Sequence, residues 1–169
     1  DVIKKKFAKI KNSNFFYFKN DFSKEKNIKK IFQVLKRNKI EIYGLINIAA
    51  IDAKPKKMNL KYLSSQQMIK ELEAGLISSY LMIKYFGEAM YKKGFGRIIN
   101  IGSDLSVISP DQRIYASSYS NYIKPASYSV IKFGLIGLTK YFATLFANRG
   151  VTCNMLSPGA LHYNQSKSL

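Results

Sequence analysis

Tyr43-Gly44-Leu45-Ile46-Asn47-Ile48-Ala49-Ala50 is a short β-rich run that is apolar at odd and even positions alike. A strand of that kind is covered by helices on both faces, as the strands of a parallel sheet are. Outward from it the same grammar repeats. Short apolar runs predict strands over residues 15–18, 42–50, 97–102 and 151–156, and stretches of helical period separate them. The first helix is expected over 23–36 with Ser23 as its cap. The second is expected over 65–93, opened by a capping box of Ser64 and Gln67 and stopped by Gly94. The third is expected over 127–148, with Ile131, Leu135, Leu138, Phe142 and Leu145 at spacings of three and four and Gly150 at its end. Alternating strands and helices mean an α/β fold, a Rossmann-like parallel sheet with flanking helices, in a single domain spanning residues 1–169.

Composition narrows the class. The chain has 169 residues, 47% hydrophobic and 22% charged, which excludes disordered and fibrous proteins. No run of about 18 uninterrupted apolar residues occurs, and the start Asp1-Val2-Ile3-Lys4 has no apolar signal region, so no membrane span or secretory signal is expected. Cys153 and His162 are the lone cysteine and histidine. They leave no disulfide within the chain and no Cys/His metal site, and they fit a reducing cytoplasm.

Charge is the conspicuous excess: 28 Lys+Arg against ten Asp+Glu, a net +18. Such a balance first raises nucleic-acid binding. Only Arg37, Arg97, Arg113 and Arg149 carry the guanidinium fork that base and phosphate readers favour, and the lysines are scattered among Ile, Asn, Phe and Tyr. Solvated faces, or attraction of a polyanionic ligand such as a dinucleotide or nucleotide-sugar, account for them better.

Two residues of the third helix carry chemistry. Tyr128 and Lys132 are four apart and share a face one turn apart. Bringing a phenol from its usual pKa of about 10 to neutrality needs roughly 4 kcal/mol. One ammonium at about 4 Å and an effective dielectric near 20 supplies that much. Ser103 ends the strand at 97–102, and in open α/β sheets ligands bind at the carboxyl ends of strands, so its hydroxyl can donate to a carbonyl oxygen there. No Gly-x-Ser-x-Gly elbow surrounds any serine, which disfavours a serine hydrolase.

From about residue 15 to 159 the chain resembles the short-chain dehydrogenase/reductases. Five segments occur in that family's order: Asn20-Asp21, Leu45 to Ala50, Asn100-Ile101-Gly102-Ser103, Tyr128-Ser129-Val130-Ile131-Lys132, and Asn154 to Gly159. The resemblance implies an NAD- or NADP-dependent oxidoreductase. Ser103 would polarise the carbonyl, Tyr128 would be the general acid/base, and Lys132 would tune the tyrosine and hold the nicotinamide ribose. It implies Asp21 at the adenine, Asn47 and Ala49 on the adenosine side, and Pro158 and Gly159 at the nicotinamide pocket. It also implies a homo-oligomer, with a small-molecule substrate and neither nucleic acid nor membrane as partner. The interval from Ser103 to Tyr128 is about twice the family's usual dozen residues. In this feature the chain resembles the subgroup of flagellin modification and surface-polysaccharide synthesis, which implies a sugar or nucleotide-sugar substrate.

The departures are specific. Gly75 stands where the family has a catalytic asparagine, and Ile48 and Ala50 replace an Asn and a Gly. No Gly-x-x-x-Gly-x-Gly turn occurs before residue 40. The expectation is therefore part of a longer protein, without the first β-α-β unit and the closing C-terminal end. In the family's strand order 3-2-1-4-5-6, residues 15–18 would then lack a neighbour and 42–50 would present a bare edge. Asp1 would be the residue that separates NAD from NADP. The alternatives are a catalytically inactive remnant that keeps the fold, or a basic nucleic-acid-binding domain.

Overall fold

The computed structural model describes residues 16–51, 56–57, 64–118 and 122–159. Asp1, Phe15 and His162 lie outside the described residues. Helix α1, Glu25–Arg37, buries Ile28 and Ile31. Its start differs from the expected Ser23 cap: Lys24 occupies the cap position without a side-chain bond, and the Asp21 carboxylate accepts the Ser23 N–H at 2.9 Å. Aspartate closes such a turn onto the backbone two residues on better than serine does.

Strand β1 is Gly44–Asn47, shorter than the expected 42–50. It pairs in parallel with β3, Gly96–Ile101, from Gly44 opposite Arg97 to Asn47 opposite Asn100. Leu45 and Asn47 face the core, whereas Ile46 is 58% and Ile48 68% exposed. The cover expected on the second face is missing among the described residues, and the bare edge is there. Residues 16–18 form no strand, a departure from the expected strand at 15–18. A strand needs a ladder partner, and the described residues offer none beside them.

A continuous helical run, α2, covers residues 65–93. It is α-helical over Ser65–Leu72, Ser78–Met82 and Glu88–Lys93, with π turns at Glu73–Ile77 and Ile83–Gly87. Half of the expected capping box exists: Ser64 Oγ accepts the Gln67 N–H at 3.2 Å, while the Gln67 side chain turns to Glu71. Gly94, at φ 82°, ends the run.

After β3 the chain holds a 3-10 turn at Asp104–Ser106, helix α3 at Gln112–Ser118 and strand β4 at Tyr122–Ile123. Strand β4 pairs antiparallel with β2, Lys56–Lys57, so the segments after β1 and after β3 are joined by a ladder. Helix α4, Ala126–Phe146, then buries Ile131, Leu135, Thr139, Phe142 and Phe146 along one face. With its 3-10 extension to Arg149 it has the length and composition of a membrane span, although Lys132 and Lys140 interrupt it. That face packs on the sheet instead, as in core helices. Strand β5, Val151–Leu156, falls on the expected residues and pairs with β3, giving the order β1-β3-β5.

The core joins Ile28, Leu45, Ile83, Met90, Ile98, Phe146 and Val151. One polar chain crosses it. Asn47 Nδ2 donates to Asn100 Oδ1 at 2.8 Å, and Asn100 Nδ2 donates to Thr139 Oγ1 at 2.9 Å. Asn100 is fully buried, and such a group is tolerated only when paired.

Candidate active site

All three strands of the sheet run parallel, so their carboxyl ends share one side, where β3 passes into Ser103 and β5 into Pro158 and Gly159. The two exits are tied: the Asp104 N–H donates to the Pro158 carbonyl at 3.0 Å. Helix α4 starts over the same place and brings Tyr128 and Lys132. Lys132 Nζ donates to the Ile101 carbonyl at 2.9 Å, two residues before Ser103. Its ammonium stands 5.7 Å from the Tyr128 ring centroid. Ser103, Tyr128 and Lys132 thus gather at the end of β3, with Pro158 and Gly159 beside them. Burial pushes the Lys132 ammonium below its ordinary 10.5, and the charge of Lys124 adds to the shift. The Ser103 hydroxyl is buried, donates to Asp104 Oδ1 at 2.8 Å and accepts the Leu105 N–H at 3.2 Å.

Asn47 and Ala49 lie at the carboxyl end of β1, lining a cavity of about 160 Å³ with Phe22, Ser78 and Ser79. The Asn47 side chain is committed to Asn100, which leaves its backbone for a ligand. Asp21 adjoins Phe22 of that cavity, with its carboxylate engaged by Ser23.

Several residues escaped the sequence reading. Lys124 Nζ stands 4.3 Å from the Tyr128 centroid, closer than Lys132. Burial raises the Tyr115 phenol, and Tyr128 and Asp104 push in the same direction. Glu71 is 2% exposed, accepts from the Ser127 hydroxyl and the Gln67 amide, and braces α2 against the first turn of α4. One signal was legible: an acid three residues after Met68 on the apolar face of α2. Gly75 has a structural reason. A Cβ there would lie 2.9 Å from Ile131 Cγ2, so the asparagine implied at this position does not fit between α2 and α4. Among the described residues no group of three or more His, Cys, Asp and Glu could hold a metal ion.

Residues 2–169 match the family described as enoyl-(acyl carrier protein) reductase, a branch of the short-chain dehydrogenases. The chain belongs to the short-chain dehydrogenase/reductase family. Within it, the 3-oxoacyl-[acyl-carrier-protein] reductase FabG of Buchnera aphidicola is 30% identical over 166 residues, 95% of this chain and 62% of the relative. The human 3-oxoacyl-[acyl-carrier-protein] reductase is 25% identical over 153 residues, 90% of this chain and 58% of the relative. A crystal structure of a short-chain dehydrogenase from Leptospira borgpetersenii with bound NAD+ superposes with a TM-score of 0.80 at 30% identity. It covers 94% of this chain and 59% of that one. The chain therefore spans about three fifths of the length of these family members.

Proposed function

We propose that the protein is an NAD(P)-dependent oxidoreductase that moves a hydride at a carbonyl or hydroxyl carbon. The observation that carries this reading is the Lys132 ammonium, fixed on the Ile101 carbonyl two residues before Ser103 and 5.7 Å from the Tyr128 ring centroid. In this reading Ser103 gives up its bond to Asp104 and donates to the substrate oxygen. Tyr128 passes a proton to or from that oxygen, with the Lys132 ammonium 5.7 Å from its ring centroid. The nicotinamide coenzyme, when bound, supplies or accepts the hydride. Tyr128, Lys132, Pro158 and Gly159 would hold its nicotinamide end, and Asp21, Asn47 and Ala49 its adenosine end. The residues present fit those two ends, since the strand exits are tied together and a cavity stands beside Asn47. The glycine-rich turn that cradles a pyrophosphate is not in this sequence. The NAD+ bound to the Leptospira relative supports the cofactor.

For the substrate we read a sugar or nucleotide-sugar, supported by the polar segment that carries Lys124 over the Tyr128 ring. The names of the curated relatives favour a second reading, a 3-oxoacyl thioester. A homo-oligomer is supported by exposed Val130, Phe133 and Tyr141 on α4 beside Ile77 and Tyr80 on α2. The buried thiol of Cys153, pushed up to about 11 by its burial, fits a reducing cytoplasm.

The test is NAD(P)H oxidation with a nucleotide-sugar panel and a 3-oxoacyl thioester. Tyr128→Phe should lower turnover by about 10²–10⁴-fold with cofactor affinity nearly intact. Equal turnover in the variant contradicts the role of Tyr128. Turnover of the thioester alone contradicts the sugar.

A further inference from the structure

Helix α4 carries Tyr128 in its first turn, and that turn brings no side-chain cap of its own. Pro125 stands at the cap position without a side-chain bond, and no acid follows in the first turn. The Tyr128 N–H donates to the Pro125 carbonyl at 3.1 Å. Helix ends finished in this way are where local opening begins.

What the turn lacks arrives from α2. Glu71 is 2% exposed, and its two oxygens are engaged separately: Oε1 accepts from Gln67 Nε2, and Oε2 accepts from the Ser127 hydroxyl. Gln67 is held in turn, its N–H on Ser64 Oγ at 3.2 Å. A chain of bonds thus runs from the start of α2 to the residue before Tyr128. A carboxylate is favoured at the N-terminal end of a helix, and this one lies at that end of α4. A cavity of about 260 Å³ bounded by Ser64, Met68, Glu71, Pro125 and Ser127 adjoins these bonds, so polar contact rather than close packing joins the two helices there.

The helices meet again one turn further on. Gly75 faces Ile131 so closely that a Cβ on it would stand 2.9 Å from Ile131 Cγ2. Residues 71 and 75 are four apart on α2, and residues 127 and 131 are four apart on α4, so the two stations match turn for turn. Tyr128 follows the first station and Lys132 the second, each by one residue. Lys132 has a further tether in the Ile101 carbonyl. Releasing the first station therefore lets the turn of Tyr128 shift while Lys132 stays on the end of β3.

We infer that Glu71 is a positioning residue for Tyr128: by holding the Ser127 hydroxyl it fixes the first turn of α4, and so where Tyr128 stands beside Lys132. The inference rests on the reading of Tyr128 as the reacting group. It gives α2 a part in the chemistry one turn before Gly75, where the family resemblance implies an asparagine.

Amide hydrogen exchange by NMR, with NAD(P)H oxidation of the nucleotide-sugar panel and the 3-oxoacyl thioester, tests it on the intact chain. Glu71→Met and Ser127→Ala should each speed exchange of the Tyr128 N–H about tenfold and leave the Leu135 and Phe142 amides unchanged. Each should lower kcat about tenfold with the KM for NAD(P)H unchanged, since a small displacement of a reacting group costs at least that much. The double variant should lose no more than either single one. Glu71→Gln keeps an oxygen for the Ser127 hydroxyl and should restore most of kcat, and with Ser127→Ala it decides the matter where Glu71→Met does not fold. Exchange that is unchanged at Tyr128, or that rises equally along α4, overturns the inference. So does an unaltered kcat in a variant whose Tyr128 N–H exchanges faster. If the unaltered chain oxidises no NAD(P)H, the oxidoreductase reading falls, and exchange alone decides whether Glu71 holds Tyr128 in place.

Discussion

The two sides of the sheet are finished to different degrees. Around β3 and β5 the strands pair over six residues, α4 lays a continuous apolar face on them, and Asn100 is sealed at 0% exposure with its amide bonded at both ends. Around β1, among the described residues, only four residues pair, on one edge, and Ile46 stands 58% exposed. A groove of about 700 Å³ lined by Phe16, Phe18, Phe22 and Leu45 runs beside it. The residues that would do chemistry belong to the finished side. Those that would hold the adenosine end belong to the open one. In the proposed reading the reacting residues draw on two strand exits and one helix start, and the adenosine end draws on the exit of β1.

The largest expected effect lies at the centre of the finished side. Asn100→Ala leaves the Asn47 amide without its acceptor in a buried place and opens a cavity, so unfolding by denaturant should show a loss of about 3 kcal/mol. Gly75→Asn, which restores the residue that the family resemblance implies, should cost about 2 kcal/mol because the new side chain meets Ile131. Ile46→Ser on the open edge should change stability by about 0.5 kcal/mol or less, since that side chain is already in solvent. If Ile46→Ser cost as much as Asn100→Ala, the contrast between the two sides would be false.

Legibility in the sequence follows the same division. Strand β5 and the ends of α2 and α4 were readable because apolar period, Ser64, Gly94 and Gly150 all act locally. Tyr128 and Lys132 were readable because a spacing of four in a helix fixes a shared face. Residues 16–18 were misread because strand propensity counts for little without a ladder partner. The β2–β4 ladder escaped notice because two-residue strands have no period and their pairing spans distant segments. Lys124 escaped with it, since its place over Tyr128 depends on that ladder and on Gln112. Glu71 lies on the apolar face of α2, three residues after Met68, and that position is the local mark of its burial.

The central claim is that α4 presses a charged lysine into the end of β3 beside Tyr128. Because the folded-state pKa of Lys132 lies below the unfolded 10.5, the folded chain holds fewer protons between the two values. The burial penalty is therefore complete at neutral pH and shrinks as pH rises through that window. The direct measurement is a pH titration of Lys132 by NMR with 13Cε-labelled lysine, assigned with Lys132→Arg. The expected result is a midpoint below 10.5 that rises when Lys124 is changed to Met. A midpoint at or above 10.5, indifferent to Lys124, would contradict the account.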